Sequence, residues 1–397
     1  MADGSVERYK ARGWNVFQLN VNNAFLHGDL HEEVYMKIPP GIYVNSSSSS
    51  IPLVCKLKKL LYGLRQASRQ WFSKLSEALL SRGYISSLND YSLFTKSSSG
   101  SLVVLAVYVD DILLAEDDLT EMNSLKSYLD DQFKIKDLGL VHYFLGLEIT
   151  THPQGYLMSQ HKYTSDLFTE FNCHHFSPVV TPLDPSVKLT LDMGDPLHDP
   201  SLYRRLIGKL NFLQHTRPDI SFFVQHLSQF LQQPQAPHML AGLHVLCYLM
   251  NDPSQGVLLS NSSDYSLAGY SDSDWASSAI SRKSVTGFYV TLAEAEYRAL
   301  RKVVAEISCQ AALHIAKNPV FHERTKHIEI DCHYVRECLN SGLISLHFIS
   351  SANQLADIMT KALCGQLHHN ILGNLGVCSL SSLRGGVSTD KGKGLAQ

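Results

Sequence analysis

Two adjacent carboxylates, Asp110 and Asp111, stand between the apolar runs Leu102–Val109 and Ile112–Ala115. Side by side at a hairpin tip, they repel each other unless a cation lies between them. A pair of magnesium ions resolves that repulsion. One ion activates an attacking hydroxyl, and the other holds the leaving phosphates of an in-line phosphoryl transfer. Mg2+ is a hard ion that takes oxygen ligands, so carboxylates and not histidines are its expected donors. The same residues also suit an exposed type I′ hairpin turn, whose geometry Asp tolerates.

The elements that would position this tip are legible in the flanking text. The run before it is rich in β-branched residues and reads as a buried strand, and the run after it resumes the strand. Apolar residues at Leu119, Met122, Leu125, Leu129 and Phe133 then recur at helical spacing. Strand-like pieces follow at Tyr143–Ile149 and Gly155–Met158. Pro178, Pro182 and Pro185 mark a linker. From Tyr203 to Met250 the pattern is helical, broken at Pro218 and at Pro234 and Pro237, and a short-strand region opens at Tyr265. The serine tract Ser46–Ser50 and the stretch Lys96–Gly100 read as loops. The main domain boundary is expected between about residues 180 and 265.

The composition is globular, with 44% hydrophobic and 18% charged residues in a 397-residue chain, long enough for two or three domains. No apolar run approaches bilayer length, and the charged opening MADGSVERYKAR carries no signal-peptide core. No membrane partner is expected. The eight cysteines include no CxxC pair and read as free thiols. A net charge of −3 argues mildly against a nucleic-acid partner, so local clusters must make that case. Lys56, Lys58, Lys59, Arg65 and Arg69, with Tyr62 and Trp71 interleaved, form one. Such a cluster suits phosphate contacts plus stacking, and equally a solvated cationic helix face.

Tyr108-Val109-Asp110-Asp111 resembles the YVDD box of reverse transcriptases, and its surroundings resemble the Ty1/copia branch of retrotransposon Pol polyproteins. Asn22–Leu30, Val34-Tyr35-Met36 and Pro39-Pro40-Gly41 match the opening of that family's palm. Leu57–Ala67 resembles its substrate-side helix. Lys136–Gly139 and Tyr143–Gly146 resemble the segments after the catalytic hairpin, and Thr216–Ile220 its connection motif. The resemblance implies an α+β fold, with a reverse-transcriptase palm of antiparallel sheet and helices followed by a truncated ribonuclease H-like α/β domain. The implied parts are a reverse transcriptase over residues 1–180, a helical connection over 181–262, a ribonuclease H-like domain over 263–365 and a tail over 366–397. It further implies Mg2+ as cofactor and an RNA/DNA template–primer hybrid and dNTPs as partners, with other retrotransposon proteins beside them. The expected location is a cytoplasmic retroelement particle or the nucleus. Gln66 would lie near the incoming nucleotide, Arg12 would touch its phosphates, and Lys58, Lys59, Arg65 and Arg69 would hold nucleic acid.

The sequence departs from the family pattern at the chemistry itself. The third metal-binding aspartate belongs in the strand Val16–Val21, and Asn20 stands there. An amide offers a neutral oxygen and no charge, which in a two-ion site costs several kcal/mol of transition-state stabilisation. Arg12 also runs straight into Gly13-Trp14, where the family carries a further fingers segment, and the family text ahead of Asp3 is absent. A second carboxylate set is implied by the ribonuclease H resemblance: Asp272 on its first strand, Glu296 on its first helix and Asp357 on its last. There the text is cut after Leu292 and before Cys309, which removes strands and one carboxylate, as if intron-like pieces had been excised from a decayed element. Loss of both activities is therefore expected. His322, His327, Cys332 and Cys338 lack zinc-site spacing, and Cys173-His174-His175 has nothing to complete a site.

Overall fold

Alternation between a buried and an open face organises the first half of the chain. In the computed structural model, the residues described are 14–42, 53–88, 90–98, 101–116, 119–184, 186–261, 268–274, 285–291, 340–341 and 349–384. They fall into two compact units, one spanning Arg12–His142 and the other holding Tyr143–Gln397. This division comes earlier in the chain than the expected break between about residues 180 and 265.

In the first unit, β1 (Val16–Val21), β2 (Tyr35–Lys37), β3 (Val54–Lys56), β4 (Ile85–Ser86), β5 (Leu93–Ser98), β6 (Ser101–Tyr108), β7 (Asp111–Glu116) and β8 (Ile135–Leu140) accompany helices α1 (Ala67–Ser81) and α2 (Leu119–Phe133). β2 and β3 pair with each other. The rest form one antiparallel sheet in the order β4-β5-β6-β7-β1-β8. Leu19, Val21, Leu105, Val107, Ile112 and Leu114 form one core with Trp71, Leu75 and Leu79 of α1 and Met122, Leu125, Leu129 and Phe133 of α2. Side chains alternate across a strand, so the residues between Leu19 and Val21 and beside Ile112 point to the opposite face. Asn20 and Asp111 lie there. A one-residue slip would drive both into the core, and the apolar pattern forbids it.

In the second unit, β9 (Tyr143–Phe144), β10 (Leu147–His152), β11 (Gly155–Ser159), β12 (Gly256–Ser260) and β15 (Val377–Cys378) form an antiparallel sheet in the order β15-β12-β11-β10-β9. The single piece expected over Tyr143–Ile149 is divided because Leu145 and Gly146 turn at φ 50° and 86°. Helices α3 (His161–Glu170), α4 (Pro200–Leu213), α5 (Ser221–Ser228) and α6 (Ala236–Leu249) share a second core. Pro200 opens α4, where the Asp199 carboxylate caps the Ser201 amide at 2.9 Å. Pro237, expected to interrupt a helix, sits in the first turn of α6, where a missing N–H costs nothing. The connection motif is a buried network. Arg217 grips Asp219 with two bonds of 3.0 and 2.8 Å, and the Tyr248 hydroxyl donates to Asp219 at 2.6 Å.

A third cluster in this unit joins the hairpin of β13 (Ala268–Asp274) and β14 (Val285–Thr291) to the 3-10 turn Leu355–Met359 and helix α7 (Gly365–Asn374). Gly287, opposite Asp272 in the hairpin, lets that turn come close. A Cβ there would lie 2.6 Å from the Met359 Cβ and 2.9 Å from the Thr360 Cγ2. The serine tract, the cuts around Leu292 and Cys309, and His322, His327, Cys332 and Cys338 lie outside the described residues.

Candidate active site

The acidic hairpin turns through Val109 and Asp110, with Tyr108 paired to Asp111 across it. Val109 adopts φ 55°, and Asp110 does not share that left-handed region, so the turn is not the type I′ form. A β-branched residue there is strained by about 1–3 kcal/mol and persists only where its surroundings fix it. Two hydrogen bonds do so. The Trp71 indole Nε1 donates to the Val109 carbonyl at 2.6 Å, and the Val21 amide donates to the Asp110 carbonyl at 2.7 Å. The indole is itself held edge-on against Phe133, with ring centroids 5.1 Å apart.

Register places Asn20 directly opposite Asp111. Its Nδ2 donates to the Asp111 Oδ1 at 3.1 Å and reaches the Asp110 Oδ2 at 3.5 Å, while the Gln18 Nε2 reaches the Asp111 Oδ1 at 3.5 Å. The sequence-expected trio Asn20, Asp110 and Asp111 is thus brought together. The Tyr62 phenol also lies close enough to Asp110 to feel its charge. Burial first, then the charges of Asp110 and Asp111, push that phenol above its usual range. Its ring packs 4.2 Å from that of Phe25. Gln18 and the turn-holding indole were not read as part of this site; alternation from Asn20 would have found Gln18.

The second acidic set lies in the other unit. Asp272 on β13 and Asp357 in the 3-10 turn both meet the Lys361 ammonium, at 3.2 and 3.1 Å. The Thr360 hydroxyl donates to the Asp272 Oδ2 at 2.5 Å. Burial, with Asp272 and Asp274 nearby, raises the Asp357 carboxyl above its usual range despite the lysine. Burial works against the charged Lys361, but the hydrogen bond and charge of Asp357, joined by Asp272, outweigh it and hold the ammonium above its usual range. Sequence reading named both carboxylates and missed Lys361, although a lysine four residues after Asp357 is a familiar pairing distance. Glu296, the third expected member, lies outside the described residues, as does Arg12.

Comparison with known proteins settles the ancestry. Residues 9–185 match the reverse transcriptase (RNA-dependent DNA polymerase) family. The chain is 38% identical to the retrovirus-related Pol polyprotein from transposon RE1 of Arabidopsis thaliana, over 92% of this chain and 28% of that protein. It is 37% identical to the RE2 counterpart, over 95% of this chain and 28% of that protein. A putative transposon Ty5-1 protein of Saccharomyces cerevisiae is 33% identical across 69% of this chain and 88% of its own length. The chain belongs to the Ty1/copia-type retrotransposon Pol polyprotein family. It spans 28% of the length of the two Arabidopsis relatives.

Copia-type reverse transcriptases normally use divalent metals, and neither acidic set here fits that use as it stands. At the hairpin, amide hydrogens point at the carboxylate oxygens that a cation would need, and the third ligand position carries no charge. At Asp272 and Asp357, an ammonium already lies within hydrogen-bond reach of both. Among the described residues there is no group of three or more His, Cys, Asp or Glu able to hold a metal.

The basic residues do not form one helical face. Gly63 turns at φ 95°, and the segment resembling a substrate-side helix is bend and turn up to Gln66, with α1 starting at Ala67. Lys56 lies on β3 and pairs with Glu33. Lys58, Lys59, Arg65 and Arg69 are exposed, and among the described residues none of them has an ion-pair partner. Gln66 donates from Nε2 to Glu32 at 3.2 Å. No described helix is long and apolar enough to cross a membrane.

Proposed function

We propose that this chain is a segment of a copia-type Pol polyprotein whose polymerase site has lost its chemistry. The ancestral reaction is RNA-directed DNA synthesis by two-metal phosphoryl transfer, followed by the remnant of a ribonuclease H. A reverse-transcriptase part through about residue 180, a helical connection to about 262 and a ribonuclease H-like part beyond it are the domains this reading assigns. One observation carries it: the Asn20 amide donates toward both carboxylates of the hairpin. That arrangement is self-satisfied without a cation, whereas three carboxylates in the same place would demand one. The test is Mn2+ binding, followed by the electron paramagnetic resonance of the free ion. We expect Asn20→Asp to bind Mn2+ at least about tenfold more tightly than the natural chain, a gain of about 1.4 kcal/mol. Equal affinity of the two would remove the argument.

A second reading, a non-catalytic remnant that holds a template–primer hybrid, is favoured by one observation. Lys58, Lys59, Arg65 and Arg69, in the hairpin's own unit, are exposed and have no ion-pair partner among the described residues, while Lys56 and Lys74 are tied to Glu33 and Asp29. Binding through four phosphate contacts would weaken steeply with salt. The expected outcome is hybrid binding at low salt that Lys58→Ala/Lys59→Ala reduces. No binding at low salt would remove this reading. Other retrotransposon proteins are the partners this reading adds, in a cytoplasmic particle or the nucleus.

A further inference from the structure

The pair Asp272 and Asp357 is arranged unlike an incidental surface ion pair. Asp357 is 3% exposed and lies in the 3-10 turn, whose apolar residues pack with the hairpin that carries Asp272. Lys361 leaves the next turn and places one ammonium nearly equidistant from the two carboxylates, at 3.2 and 3.1 Å. The hydroxyl of Thr360, the neighbouring residue, donates to the same Asp272 oxygen, Oδ2, at 2.5 Å. Gly287 makes the approach possible, since any Cβ there would push the Met359–Thr360 segment away from the strand opposite Asp272. Asp274 on the same strand adds further negative charge toward Asp357. One fixed cation thus answers a cluster of acids. Mg2+ needs oxygen ligands at about 2.0–2.1 Å and gives up its water reluctantly, so it would have to compete with an ammonium of the same sign for these oxygens.

We propose that the Lys361 ammonium is a built-in counter-ion that takes the place of a divalent cation between Asp272 and Asp357, leaving the pair closed to metal until the lysine is removed. This rests on the reading of these two aspartates as former metal ligands, and its test separates the two ideas. The full chain is prepared with Asp110→Asn and Asp111→Asn, so that the hairpin contributes no carboxylates. Mn2+ binding is followed by the electron paramagnetic resonance of the free ion, with thermal unfolding as the check on folding. The chain with Lys361 intact is expected to show no Mn2+ site that depends on Asp272. Lys361→Met is expected to gain one site, at least about tenfold tighter than any residual binding and lost again when Asp272→Asn is added. Lys361→Arg keeps the charge and is expected to gain nothing. An Asp272-dependent Mn2+ site with Lys361 intact overturns the counter-ion proposal, leaves the metal-ligand reading standing, and needs no variant of Lys361 to fold. A folded Lys361→Met chain that gains no site overturns both.

Discussion

The two acidic sets solve one problem in different ways. At the hairpin, Asp110 and Asp111 are answered by a neutral amide, which supplies hydrogen bonds and no charge. At Asp272 and Asp357 the answer is a full positive charge, Lys361, set between them. On the proposed reading, the difference teaches that losing a metal site does not require losing its carboxylates. A donor placed at hydrogen-bond distance quiets them, and whether that donor is charged decides how much negative potential remains. The hairpin keeps its potential, and the second set has part of its own offset by one ammonium.

Three substitutions probe that contrast. The largest effect is expected from Gly287→Ala. The new Cβ has no room beside Met359 and Thr360, so the turn must shift, at a cost of about 3 kcal/mol and with the contacts of Asp272 disrupted. Urea unfolding monitored in the second unit measures it, and a midpoint unchanged from that of the natural chain would mean the close approach is not needed. A smaller effect is expected from Trp71→Phe, which deletes the bond holding the strained Val109 carbonyl. The loss is about 1–2 kcal/mol, with faster hydrogen exchange at the Val21 amide. The smallest is expected from Lys361→Met without metal. The lysine side chain is 38% exposed, so water screens the loss and the change stays within about 1 kcal/mol. A much larger loss would make Lys361 a structural post instead of a counter-ion.

The framework around the hairpin was legible because its signals are local. The β-branched run and the period of α2 each state their own element, and the family resemblance placed Asn20 in the strand Val16–Val21. What stayed hidden depends on residues far apart in the chain. The left-handed Val109 is set by Trp71, thirty-eight residues away, and nothing in the tetrad announces it. The basic cluster resembled a helix by its text, yet Gly63 turns the chain before α1 begins. Pro237 looked like an interruption because proline breaks helix interiors, and only the placement of the first turn reveals it as a start. The i,i+4 spacing of Lys361 from Asp357 was local text, but its second partner, Asp272, meets it only through tertiary structure.

The central claim is that the hairpin, with an amide where a third carboxylate belongs, no longer supports polymer synthesis. Primer extension on an RNA template by the purified chain, with dNTPs and Mg2+ or Mn2+, tests it most directly. No template-directed product is expected with either ion. Template-directed extension by the chain with Asn20 in place would contradict it.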